Sequence, residues 1–249
     1  MAVTGTILNV IGILAGGVIG LLWKKPLAMS TQSFFKLTLG ALTAFVGLRL
    51  TWVSLSGPFV HGLKQLGIVI LALVLGKLAG RLMHLQKASN RLGRFARERM
   101  AEVKPGDPSR FSDGFNVCAI LFCAAPLGIV GAIVDGLAVP EGAYGSYFPL
   151  AIKALMDGLA AMSFVAMFGT GVLLSAVPVL VFQGTITLLC ARLLHPVLQA
   201  HGLIDPINAT SGLLVFCVAL VIFEIRKIEL TDYLPSLAFA PLLAYWLVK

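Results

Sequence analysis

The sequence predicts an all-α polytopic membrane protein with about eight transmembrane helices. Three observations lead there. Of 249 residues, 58% are hydrophobic and only 12% are charged; an average soluble domain carries roughly 25% charged residues. Mean hydropathy is +0.95. Apolar runs of bilayer-crossing length, about 20 residues, recur from end to end with short connectors between them. So little polar surface excludes a soluble enzyme, a disordered chain and a secreted disulfide scaffold.

The runs in order are 5–23, 33–54, 64–84, 115–136, 148–168, 171–194, 208–225 and 232–248. The first lacks a basic N-terminal region and precedes Lys24 and Lys25. That polarity is the reverse of a removable signal peptide, so the run reads as a span. The fourth contains Pro126 and the glycines Gly128 and Gly131. The fifth and sixth are separated only by Gly169-Thr170-Gly171. The whole chain, 1–249, reads as a single membrane domain. Its one long polar stretch, 85–113, is a basic cytoplasmic segment within that domain.

Charge fixes the expected orientation. Short loops rich in Lys and Arg stay in the cytoplasm. Such residues follow span one (Lys24, Lys25), span three (Arg81, Lys87, Arg91, Arg94, Arg97, Arg99, Lys104, Arg110) and span seven (Arg226, Lys227). The connectors 55–63, 137–147 and 195–207 contain neither. This bias places both termini outside. It also requires 148–194 to return to its starting side, either as two full crossings or as a re-entrant hairpin. The net charge of +8 therefore describes topology, and no nucleic-acid partner is expected. Residues 85–104 repeat Leu85, Ala88, Leu92, Phe95 and Ala96 at helical steps against a basic face. Such a helix suits the headgroup layer and anionic lipid.

A shift of about 171 residues lays spans one to three over spans six to eight. It superposes Trp23-Lys24-Lys25-Pro26 on Leu193-Leu194-His195-Pro196 and Gly40 on Gly212. An inverted-topology repeat is the expectation, an arrangement common among secondary transporters.

Ionisable residues inside a bilayer are costly and mark pathways or paired structural sites. Lys153 and Asp157 are four apart in span five, so they share a helix face. Asp157 lies about 14 Å into that helix at 1.5 Å per residue. It is a candidate site for a cation or proton, with Lys153 as counter-charge or anion site. The alternative is a structural ion pair. Asp135 repeats the Asp-Gly-Leu signature at the end of span four, and Arg49 near the end of span two could approach the group. Asn9 in span one and Gln183 in span six, after Pro178, are uncharged candidates for lining a path. Gly12, Gly16 and Gly20, and Gly76 and Gly80, are spaced by four; they suit close internal packing or a homo-oligomer. Cys118, Cys123, Cys190 and Cys217 lie in apolar runs as core residues, and the four histidines have no metal-like spacing. No catalytic motif, metal site or cofactor is expected.

Several segments together resemble a family. They include Gly5-Thr6-Ile7-Leu8-Asn9, Gly16-Gly17-Val18-Ile19-Gly20, Arg91-Leu92-Gly93, Asp135-Gly136-Leu137, and Lys153 with Leu155-Met156-Asp157-Gly158. Others are Gly171 to Leu180, Gln183-Gly184-Thr185, Leu234-Pro235 and Ala240-Pro241. In this order, nearly end to end, the chain is similar to the bacterial YdfK/YqgA-like membrane proteins, a family of unknown function (domain of unknown function 554). The resemblance implies a bacterial inner-membrane protein of the kind described as a putative transport protein. It supplies no substrate. The expectation is therefore a transporter of a small solute or ion with a midplane site near Asp157 and Lys153. The alternatives are an ion channel and a non-transporting scaffold or lipid-binding protein.

Overall fold

Inside a bilayer the backbone must satisfy its own hydrogen bonds, and a helix does so within one segment. The computed structural model describes residues 3–23, 28–55, 57–103, 109–137 and 147–248, and all regular structure among them is helical. The helices are α1 (Thr4–Leu22), α2 (Met29–Ser54), α3 (Phe59–Leu82), α4 (Leu85–Glu102), α5 (Arg110–Ala124) and α6 (Pro126–Gly136). They continue as α7 (Phe148–Phe168), α8 (Gly171–Leu174), α9 (Ala176–Leu189), α10 (His195–Ala200), α11 (Ile204–Ile222) and α12 (Ser236–Val248). Lys24, Lys25, Lys104 and most of the 137–147 connector lie outside the described residues.

Six helices are long and apolar enough to cross a membrane, and α5 with α6 makes a seventh if that bent pair is one span. Large apolar side chains such as Phe45, Trp52, Ile70 and Leu78 stand on the outer surface, as lipid-facing residues do. Three expected elements differ in detail. Span four is broken: α5 and α6 meet at 58°, because Pro126 lacks an N–H and holds Ala125 extended (φ −65°, ψ 123°). Span six extends through His195-Pro196 to Ala200. A π-helical turn at Cys190–Leu194 absorbs that proline. The expected span 232–248 is a 3₁₀ turn, Leu230–Tyr233, followed by a helix of 13 residues, with Pro235 at the break.

Glycines set the helix pairs. A Cβ built on Gly12, Gly16 or Gly20 would fall 2.4, 2.0 or 2.4 Å from the carbonyl oxygens of Ala154, Gly158 and Met162. Both series climb by four, so α1 and α7 run parallel, backbone on backbone. Gly40 meets Phe223 while Gly47 meets Gly212 and Phe216, so α2 and α11 are antiparallel. Gly76 meets Ser236 and Gly80 meets Asp232, which makes α3 and α12 antiparallel too. Both glycine stripes are thus occupied within the chain.

The stretch 148–194 makes two passes. Leu150 packs beside Gly5 and Met162 beside Gly20, so α7 follows the length of α1. The returning segment meets Gly17 through Leu173 and Thr6 through Thr187. It covers the same depth in the opposite sense, unlike a shallow hairpin.

Among the described residues, oppositely charged pairs mark the end of the bundle that carries α4 and its basic side chains. There Lys36 pairs with Glu224 at 2.6 Å and Arg81 with Glu229 at 3.5 Å. The Lys36 ammonium holds the Glu224 carboxyl below its usual range. Arg110 donates to the Met167 carbonyl at 2.8 Å through Nε, closing the C-terminus of α7 with a cation. Asp232 accepts from the Gln86 N–H at 2.8 Å and so caps α4. The amphipathic α4 buries Ala96 and leaves Leu92 and Phe95 exposed.

Candidate functional site

The Lys153 ammonium is ion-paired with the Asp157 carboxylate across one turn of α7. Both are buried, at 1% and 8% exposure. The close approach at Gly12 and Gly16 brings α1 onto this face of α7, and with it Asn9. The Asn9 Nδ2 donates to Gln183 Oε1 on α9 at 3.1 Å, and the Asn9 side chain interacts electrostatically with Asp157. One turn away, Thr6 and Thr187 pair through their hydroxyls at 3.3 Å. Thr187 also donates to the Ala132 carbonyl on α6 at 3.2 Å. Four helices thus contribute to one buried polar group.

The α5–α6 break opens directly beside it. The Lys153 ammonium lies 5.9 Å from the centroid of the Phe122 ring, near the end of α5. On α6, Gly128 faces the Lys153 stem and the Gln183 amide: a Cβ there would sit 2.7 Å from Lys153 Cε and 2.9 Å from Gln183 Nε2. Only glycine leaves both side chains in place. No side chain caps the start of α6. Two fully buried atoms in the group, Asn9 Oδ1 and Gln183 Nε2, have no protein partner. An unsatisfied buried polar atom costs roughly 1–3 kcal/mol, so the arrangement is polar beyond what its own bonding needs.

A family model described as a protein of unknown function, DUF554, matches residues 4–245. The chain belongs to that family. It is 26% identical over 241 residues to a Bacillus subtilis protein named "Uncharacterized membrane protein YdfK", covering 97% of this chain and 95% of the relative. To the "Uncharacterized protein YqgA" of Escherichia coli K12 it is 28% identical over 247 residues, covering 98% and 97%. No solved structure matches. Family membership, the relative's membrane name and the apolar helices agree: this DUF554 member is an integral membrane protein.

The remaining predicted residues of the DUF554 chain fall elsewhere. Asp135 is buried, and its Oδ2 accepts from the Gly5 N–H at 3.0 Å. It caps the N-terminus of α1, where a carboxylate opposes the helix dipole. Arg49 is exposed on α2, and no hydrogen bond joins it to the group. Sequence reasoning missed Thr6, Thr187, Phe122 and the role of Gly128 as the contact to Lys153. The polar residues inside apolar runs were a usable signal; the position of Phe122 against the ammonium had none. Among the described residues, no group of three or more His, Cys, Asp or Glu could hold a metal ion.

Proposed function

We propose that this protein is a bacterial inner-membrane transporter of a small solute or ion. The substrate is held between α1, α6, α7 and α9 by Lys153, Asp157, Asn9 and Gln183. The observation that carries the reading is the buried ion pair set beside a broken helix and two unpaired buried amide atoms. Structural helices have no need of unpaired donors and acceptors, whereas broken helices beside midplane charges are what transporter sites use. Asp135 and Arg49 are assigned no substrate contact. No nucleophile–base pair stands in the site, so the reading is of a non-enzymatic protein.

The helix pairs support an inverted repeat of spans one to three and six to eight. Counterparts α2 and α11 are antiparallel, as are α3 and α12. The α1 helix runs beside α7, and α9 correspondingly beside α6, where Gly128 meets Gln183 and Gly136 meets Thr187. The basic end is assigned to the cytoplasm by its charge, which puts both termini outside.

A second reading, a non-transporting scaffold, is favoured by the closure of the site, with Lys153 only 1% exposed. Flux from proteoliposomes loaded with sodium, potassium or chloride separates the two. The transport reading expects flux of at least one ion above that of protein-free vesicles, and no excess for any of them would support the scaffold. Single-channel currents beyond carrier turnover would instead identify a channel.

Lipid is the proposed partner at the basic end. A cavity of about 920 Å³ between α3 and α11 has Lys77, Arg81, Arg226 and Lys227 on its lining, one acid, Glu229, paired with Arg81, and apolar side chains such as Leu73 and Leu214. Basic pockets between transmembrane helices suit anionic headgroups. Purified protein should retain phosphatidylglycerol over phosphatidylcholine, and Arg226→Gln with Lys227→Gln should remove the preference. Equal retention of the two lipids by the wild type would contradict it.

A further inference from the structure

The orientation of the buried amides carries a statement about substrate class. A carboxylate accepts only, so the electrostatic interaction of Asp157 with Asn9 favours the Asn9 Nδ2 over its Oδ1 on that side. The same nitrogen donates to Gln183 Oε1. Gln183 is thereby oriented with Nε2 away from Asn9 and toward Gly128 on the first turn of α6. That donor is fully buried and unpartnered. Three positive or donating groups therefore converge on one place: the Gln183 amide, the Lys153 ammonium and the positive end of α6, which no side chain caps and where the Gly128 N–H turns back to the Ala125 carbonyl at 2.9 Å. The α6 helix has 11 residues, long enough for its end to matter. Against them stands one carboxylate, Asp157, already engaged by Lys153. A dehydrated hard cation takes six or more oxygens. Here one unpaired side-chain acceptor, Asn9 Oδ1, is available among the described residues of the group.

We propose that Lys153, Gln183 Nε2 and the N-terminus of α6 form a binding site for a small monovalent anion, with Asp157 as the internal carboxylate that the anion displaces from Lys153. Binding stands on this geometry alone; movement of the anion across the bilayer rests on the transport reading. Gly128 permits the close approach: a side chain there would meet Lys153 Cε at 2.7 Å and Gln183 Nε2 at 2.9 Å, and its absence is what lets both reach the same helix end.

The test is the unfolding temperature of the detergent-purified protein in sodium chloride, nitrate, formate and acetate. Ionic strength is held constant with sodium gluconate. At least one of these anions should stabilise the wild type saturably. Asp157→Asn removes the competing carboxylate, so its apparent affinity for that anion should rise at least about tenfold. Gln183→Leu loses a hydrogen bond to a charged group and should weaken binding about tenfold or more. A cation site predicts the opposite sign for Asp157→Asn. If that variant does not fold, the comparison of wild type with Gln183→Leu decides. The proposal is overturned if no anion gives a saturable shift, if Gln183→Leu responds as the wild type does, or if the effect follows sodium, potassium or choline at fixed chloride. Anion binding without flux in vesicles would leave the site standing and remove the transport reading. Cation flux without anion binding would do the reverse.

Discussion

Lys153→Met should lower the stability of the folded protein by about 3–5 kcal/mol, because it strands the Asp157 carboxylate without its partner. Asp157→Asn should cost a similar amount in a buffer without small anions, by stranding the ammonium. The two together should cost far less. In Lys153→Met/Asp157→Asn neither charge of the pair remains, Asn9 still faces the new amide, and methionine fills most of the lysine stem's volume. Replacing a whole buried pair by neutral residues is often close to neutral for stability. Thermal unfolding in detergent should therefore rank the wild type and the double variant close together, with both single variants well below. Equal melting of all four would mean that water or lipid reaches the pair and that it is not buried as described.

Gly16→Val should leave little or no folded protein. A Cβ at position 16 would lie 2.0 Å from the Gly158 carbonyl oxygen and 2.5 Å from its carbon. Those atoms are backbone of a parallel helix, so no side chain can move aside. Even Gly16→Ala should cost about 3 kcal/mol, the upper range for overpacking, since relief requires parting α1 from α7. Parting them would also withdraw Asn9 from Asp157 and Gln183. The control is Gly93→Ala on α4, where nothing lies within 4 Å. That change should raise stability by about 0.5–1 kcal/mol through helix propensity. Fluorescence-detected size exclusion and thermal unfolding check both. A folded Gly16→Val protein with unchanged melting would refute the α1–α7 contact.

These residues also show what the sequence makes legible. Apolar run lengths place the spans, since a bilayer imposes one length on every crossing. The four-residue spacing of Lys153 and Asp157 places them together, because helical geometry alone decides it. The glycine steps mark close contacts but not partners: nothing local tells Gly16 that it faces Gly158. Pro126 signals a break, yet the 58° bend depends on what α5 and α6 each pack against. Arg49 could be set near the acids only by depth along its helix, and rotation of α2 carries it to the surface. Asp135 looked like a second Asp157 because both precede glycine. Its role follows from lying across from the start of α1, a contact 130 residues away in sequence. Asn9 and Gln183 were visible as polar residues in apolar helices, but their mutual bond spans 174 residues.

If the buried group between α1, α6, α7 and α9 is a substrate site rather than a structural pair, transport depends on its two charges. Proteoliposome flux of wild type against Lys153→Met/Asp157→Asn tests it most directly, because the double variant is expected to keep the fold while losing both charges. The wild type is expected to move at least one small ion faster than empty vesicles, and the folded double variant is not. A double variant that transports as fast as the wild type would contradict it.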